Sequence, residues 1–317
     1  SSPEFDSAID CFRQALEKDP EYAAAYYGLV ETHLKIAFWG NQPPSEVCQK
    51  AKTYARKALE IDPTLGDARG ALSYIYTVHD WNWEAADRES LEALRLTPSS
   101  AMCHLYRSWY LTYVERHEEA VAEAFEAQRL DPVSSFANWG TGIALAWKGE
   151  FGRAIDEYEK AKKMDPDFDL IRGFLGMVYY WNGDYERAIE EHRKATELSG
   201  NAPSMVMNLE LALSQSGKRE EADRLFEELK RRSEKEYLPP SLFFCIYLER
   251  GHLAEAFRWL KKAGEMHDVN LGWFRVAPPE AFKSPDEARL IALIKKGFVK
   301  AMITRTISRY RITGDAG

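Results

Sequence analysis

The stretch GFLGMVYYWNGDYERAIEEHRKA, residues 173–195, crowds aromatic rings, two adjacent glutamates and a histidine into 23 positions. Whether Tyr179, Tyr180 and Trp181 belong to a chemical site, a binding surface or a packed interior depends on whether the stretch is unique. It is one copy of many. From Ala188, equivalent alanines stand at Ala154, Ala120, Ala86, Ala51 and Ala8 on one side and at Ala222 and Ala256 on the other. The intervals counted from Ala8 are 43, 35 and then five of 34 residues. Seven positions further on stand Ala15, Ala58, Ala93, Ala127, Ala161, Ala195 and Ala263, with Leu229 the exception. Twelve positions on, Pro20, Pro63, Pro98, Pro132 and Pro166 close five units, and Gly200 closes the sixth.

Each unit reads as two helices. In the quoted copy the first helix covers Leu170 to Trp181, the second covers Tyr185 to Leu198, and NGD makes the turn around Gly183. Proline after the second helix stops it, because proline lacks an N–H and collides with the preceding turn. Small residues at fixed positions let the helices approach, and Leu and aromatic residues fill the remainder. A unit of this size cannot bury its apolar face alone, so neighbouring units must stack.

On these residues the chain resembles the tetratricopeptide repeat (TPR) family. The matching positions in the quoted copy are Leu175, Gly176, Tyr179, Gly183, Tyr185, Ala188, His192 and Ala195. His192 stands where the family has an aromatic or apolar residue, as Phe12, Tyr158 and Phe226 do in other units. The resemblance implies an all-α solenoid, a right-handed superhelix of helix-turn-helix pairs, with a concave groove lined by the first helix of each pair. The expected organisation is a TPR array over residues 1–270, made of one lone helix (Pro3 to Lys18) and seven pairs. A C-terminal capping segment is expected over 271–298, where Trp273, Val276, Pro278 and Phe282 resemble the closing segment of bacterial TPR arrays. A basic tail, helical in part, follows over 299–317. Two irregularities stand out: WGNQPPSEV lengthens the second unit, and HDWNWEAA replaces the glycine turn of the third, so Trp81 and Trp83 are expected to plug a crevice between repeats.

Composition agrees with a folded array. A chain of 317 residues exceeds the size at which one globular core stops growing. The net charge of −8 argues against a nucleic-acid footprint spread over the chain. No apolar run approaches the roughly 18 residues of a membrane span, and no signal-peptide pattern opens the chain. Cys11, Cys48, Cys103 and Cys245 form no C-x-x-C pair and read as reduced thiols. A cytoplasmic location is expected, or a periplasmic one if the chain is part of a membrane-anchored sensor; its opening inside a helical pattern suggests a piece of a longer protein.

No catalytic signature is found. The seven histidines form no H-E-x-x-H or zinc spacing, so no metal and no cofactor is expected, and His192 is expected to be packed and hydrogen-bonded. Glu118-Glu119, Glu190-Glu191 and Glu220-Glu221 recur from unit to unit and are expected on a solvated face. Nucleotide and nucleophile-elbow motifs are missing. In the register of the resemblance, the groove is lined by Tyr27, Tyr74, Leu105, Trp109, Tyr113, Phe136, Trp139, Ile143, Trp147, Met177, Tyr180, Trp181, Met207 and Leu211. Rings with polar handles and adaptable methionines favour interfaces. The expected function is therefore a non-catalytic scaffold that binds a protein or peptide segment through an apolar or aromatic anchor. The alternative is a ligand-sensing or regulatory domain of a larger bacterial signalling protein such as a kinase, nucleotide cyclase or transcription regulator. For the basic tail three readings stand: a capping helix, a membrane or nucleic-acid patch, or a segment that inserts into another copy's groove and gives self-association.

Overall fold

A computed structural model describes residues 3–39 and 42–271. The expected capping segment from residue 272 and the basic tail lie outside the described residues. One helix is followed by seven antiparallel pairs. The lone helix is α1 (Pro3–Lys18); the pairs are α2 (Ala23–Trp39) with α3 (Pro44–Ile61), α4 (Gly66–Ile75) with α5 (Trp83–Leu96), and α6 (Ala101–Tyr113) with α7 (His117–Leu130). Then come α8 (Ser135–Trp147) with α9 (Phe151–Met164), α10 (Asp169–Trp181) with α11 (Tyr185–Leu198), α12 (Pro203–Gln215) with α13 (Arg219–Ser233), and α14 (Pro240–Glu249) with α15 (Leu253–Glu265). There is no strand among the described residues; the chain is an all-α solenoid.

The registered alanines are where helix meets helix. Ala86, Ala120, Ala154, Ala188 and Ala256 have no accessible surface, nor do Ala93, Ala127, Ala161 and Ala195 two helical turns further on. A glycine on the first helix does the same work by a closer approach. A Cβ built on Gly142 would lie 2.3 Å from the Tyr158 ring, and one on Gly176 would lie 2.7 Å from the His192 ring. These are equivalent positions of adjacent pairs. His192 is thus a packed ring, as expected, but its Nδ1 finds no hydrogen-bond partner and burial holds its pKa down to about 3. Serine hydroxyls stitch the early pairs: Ser73 donates to the Ala86 carbonyl and Ser108 to the Ala120 carbonyl, both at 2.7 Å.

One glutamate pair departs from expectation. Glu118 and Glu119 are exposed, whereas Glu191 is buried and paired with Lys162 at 2.7 Å and Arg172 at 2.9 Å. Glu118-Glu119 and Glu220-Glu221 immediately precede their repeat alanine; Glu190-Glu191 follows Ala188, which rotates Glu191 toward α9 and α10.

The lengthened second unit resolves into longer helices, with Pro43 as N-cap and Pro44 in the first turn of α3. The third unit ends α4 in a single π-helical turn, Tyr76–Asp80, and Trp81 then takes a left-handed conformation (φ 52°). Trp83 faces Tyr113 of the next pair, ring centroids 6.5 Å apart. Trp81 does not plug a crevice between neighbouring repeats: its ring stacks on His267, past the end of α15, at 4.6 Å. The array therefore curls until the end of its last pair touches its second.

Candidate functional site

The first helices of successive pairs pack on one another, α2 with α4, α4 with α6, α6 with α8, α8 with α10, α10 with α12 and α12 with α14, while the second helices form no comparable row. Contact along one row and not the other means curvature, with the first helices on the inside. Their rings meet in one connected network. Tyr74 lies 5.2 Å from Trp109, Trp109 lies 5.8 Å from both Phe136 and Trp139, and Trp139 lies 5.2 Å from Phe174. Trp147 then links Phe174 to Trp181, 5.1 Å from the latter, and Phe151 closes the run 5.9 Å beyond. Edge-on and tilted pairs at these distances are the favoured aromatic geometries.

Three rings of this network were not among the sequence candidates: Phe151 at the start of α9, Phe174 and Phe38. Phe174 is the hub between Trp139 and Trp147, and Phe38 at the end of α2 reaches Trp139 (5.8 Å) and Phe174 (6.4 Å) across three pairs. Phe174 sits in the quoted stretch at an inner-helix position and was legible in principle. Phe38 was not, because its contact depends on how tightly the array curls.

That tightness divides the fourteen candidates. Leu105, Trp109, Tyr113, Trp139, Ile143, Trp147 and Tyr180 are buried, each with at most 8 % of its surface exposed. Neighbouring helices, and for Trp139 also Phe38, close over these side chains, so they stand within the packed wall and not on its surface. Tyr27, Tyr74, Phe136, Met177, Trp181, Met207 and Leu211 remain partly exposed. Of these, Tyr74, Phe136 and Trp181 belong to the ring network, while Met207 packs with the apolar cluster of α13 and α14 and Leu211 with both. Tyr27 packs against the same core, its hydroxyl donating to Glu31 at 3.2 Å. Burial raises the Tyr27 phenol well above its usual range, with the nearby Tyr106 and Glu31 adding to the shift.

The wall offers little chemistry. Among the described residues no group of three His, Cys, Asp or Glu side chains is placed to hold a metal. Burial pushes the thiols of Cys48 and Cys103 up to about 12, leaving them protonated at neutral pH. Two inner-row carboxylates are strongly shifted: burial raises Asp169, at the start of α10, to about 6, and it raises Glu210 on α12 to about 7, where Arg250, whose guanidinium lies 2.6 Å away, pulls it back. Arg250 also holds Asp223 at 2.6 Å, so this group ties α12, α13 and α14 together. The indole N–H groups of Trp109 and Trp139 are buried without an acceptor. Shape and apolar surface are what the concave face presents. No helix among the described residues is long and apolar enough to cross a membrane.

The tetratricopeptide repeat family model matches residues 4–36 and 140–203. The transcriptional regulator HilA of Salmonella typhimurium is 31% identical over 114 residues, 36% of this chain and 20% of HilA; this chain therefore spans about a fifth of the length of the curated relatives it matches. Two solved structures share the fold. PilW, a type IV pilus biogenesis factor, superposes with a TM-score of 0.52 at 19% identity over 67% of this chain and 94% of PilW. A thermophilic TPR protein of Thermus thermophilus, TTC0263, gives 0.51 at 18% identity over 59% of this chain and 98% of its own.

Proposed function

The chain is a tetratricopeptide repeat protein, and from that premise we propose that it is a non-catalytic interaction module that holds an apolar or aromatic-anchored peptide segment against the exposed part of its concave face. The observation that carries this reading is the strip Tyr74, Phe136, Met177 and Trp181, which stays partly exposed on the inner helices after the array has curled. Rings and a methionine left open on a rigid wall suit an amphipathic helix or an extended segment with spaced anchors. The buried tryptophans behind them fix the strip in place, so little ordering entropy remains to be lost on binding.

A selection of random displayed peptides against the full chain tests it. Selected peptides are expected to carry Leu, Phe or Trp at helical or alternate spacing, and to lose at least tenfold in affinity on Trp181→Ala or Phe136→Ala. Val133, exposed on the α7–α8 loop, supplies the control, since Val133→Ala leaves binding unchanged. Peptides that bind equally to all three variants would sink the groove assignment.

The match to HilA favours a second reading, in which the array is the regulatory part of a larger regulator and its groove holds an intramolecular segment or small ligand. The two readings separate on what displaces a bound peptide: another polypeptide segment in the first, a small molecule in the second.

A further inference from the structure

Along α2, Tyr27, Glu31 and Phe38 share one helical face. Phe38 crosses to Trp139 and Phe174 and closes the wall there. Tyr27 and Glu31 lie further back along the helix, about 16 Å and about 10 Å from Phe38 at the usual rise per residue, and both remain partly exposed. At that end α2 meets α4 and α6. The phenols of Tyr27 and Tyr106 are hydrogen-bonded to each other. The Tyr106 ring lies 6.1 Å from Tyr74 and 5.6 Å from Trp109. Tyr106 and Trp109 are buried, whereas Tyr27 and Tyr74 are partly open, so two rings floor this corner and two rim it.

Two carboxylates stand at the corner. Glu31 accepts from the Tyr27 hydroxyl at 3.2 Å. Asp67, in the first turn of α4, accepts from the Ser100 hydroxyl at 2.5 Å and from the Cys103 thiol at 3.3 Å. All of these donors are neutral. Burial raises the phenols of Tyr27 and Tyr106 well above their usual range, and both carboxylates add to the shift of each, so the four groups share one neighbourhood. Cations of the inner helices are committed to the second helices: Arg69 to Glu89, Arg107 to Asp87 and Arg172 to Glu191. Lys35, one turn beyond Glu31, is exposed and forms no ion pair with it. Asp169 repeats the pattern at the start of α10, where backbone amides hold its carboxylate.

Resting on the groove reading above, we infer that the partner segment is basic where it meets this corner: a Lys or Arg beside its apolar anchor lies between Glu31 and Asp67, over the rings of Tyr27 and Tyr74. Carboxylates held by neutral donors keep an uncompensated charge, and partial shielding from water strengthens its attraction for an opposite one. An ammonium or guanidinium donates to both, and its remaining side faces rings, which attract cations. An acidic segment is repelled at the same place, which gives the groove a preference that its apolar strip alone lacks. The net charge of −8 draws the same partner from a distance.

The displayed-peptide selection supplies the probes. Peptides that depend on Phe136, whose ring lies 5.8 Å from Trp109, are expected to share a Lys or Arg at a fixed spacing from their aromatic or leucine anchor. A synthetic copy with norleucine for that Lys, or citrulline for that Arg, should bind the full chain roughly tenfold more weakly. Against Glu31→Gln with Asp67→Asn, which keeps acceptors for Tyr27 and Ser100, the charged and uncharged copies should bind alike. Glu31→Gln alone, at a partly exposed position, should remove part of the difference, and Glu190→Gln, on the exposed face of α11, none of it. Equal affinity of both copies for the unaltered chain, or binding that needs Trp181 but not Phe136, would overturn the inference and leave the groove reading standing. A preference for the charged copy that persists in the double variant would overturn its placement at this corner. Peptides indifferent to both Trp181 and Phe136 would overturn the groove reading, and the inference with it.

Discussion

The aromatic spine of pairs two to five and the junction between the second pair and the end of α15 both hold the curl of the array, by different physics. The spine joins rings of successive pairs, all apolar, at centroid distances from 4.9 to 6.1 Å. The junction joins residues 188 positions apart through two imidazole–carbonyl contacts and a Trp–His stack. Both members of that stack, Trp81 and His267, sit in the left-handed region without being glycine. Where α8, α10, α12 and α14 turn with Gly149, Gly183, Gly217 and Gly251, and α6 with Glu115 in the left-handed region, the α4–α5 pair uses a π turn and a left-handed tryptophan to reach across the curl. Nearest-neighbour contacts make a solenoid stable pair by pair. A single long-range contact closes it, and such a contact opens first.

The largest effect is expected in the spine. Trp139→Ala removes a ring with 3 % exposure that touches Phe38, Trp109, Phe136 and Phe174, and should cost about 3–5 kcal/mol in urea unfolding. Trp181→Ala, at the partly exposed end, should cost less than half as much. Equal losses would mean that the spine and its exposed strip are not distinct. Next comes Gly142→Ala, whose Cβ meets the Tyr158 ring at 2.3 Å; overpacking there should cost about 1–3 kcal/mol, read as a lowered Tm.

A smaller effect is expected at the junction. Trp81→Ala forfeits the stack on His267, worth about 1 kcal/mol, so amide exchange at residues 268 and 271 should quicken roughly fivefold. Exchange in α8 and α10 should not change. A matching rise there would show that closure and spine open together.

How much could be read beforehand follows the same division. The alanine column, the proline and glycine ends and the helix pairing were legible because each is a local matter repeated at 34 residues. The place of Trp109, Trp139 and Trp147 on the inner helices was legible from the same register. Their closure was not, since it depends on neighbouring helices and, for Trp139, on Phe38 arriving from three pairs away. Glu191 was misplaced because a shift of a few positions relative to Ala188 moves a side chain from solvent to the interior of the pair. The contact between Trp81 and His267 left no trace in the repeat, as both are departures from it.

The smallest effect, and the most specific to the junction, is its pH dependence. Burial holds the His79 imidazole below its usual value, with Lys52 and His267 acting the same way; Asp80 and the His267 carbonyl oppose them. Asp80 is itself held by Lys52, 2.9 Å away, so it is only partly available to a protonated His79. In an opened junction His79 regains an ordinary pKa of about 6.5. The closed form therefore binds fewer protons, and its stability is fully present above about pH 6.5 and lost as the pH falls from there toward the depressed value. Within that window each pH unit removes at most about 1.4 kcal/mol from closure. Small-angle scattering should show the array expanding between pH 7 and pH 5, and His79→Gln should abolish the expansion. Global unfolding will keep an acid limb in that variant, because His33 and His192 are also held neutral by burial, within the helix pairs and away from the junction. Expansion that persists in His79→Gln would place the sensitive group elsewhere and leave the junction closed by stacking alone.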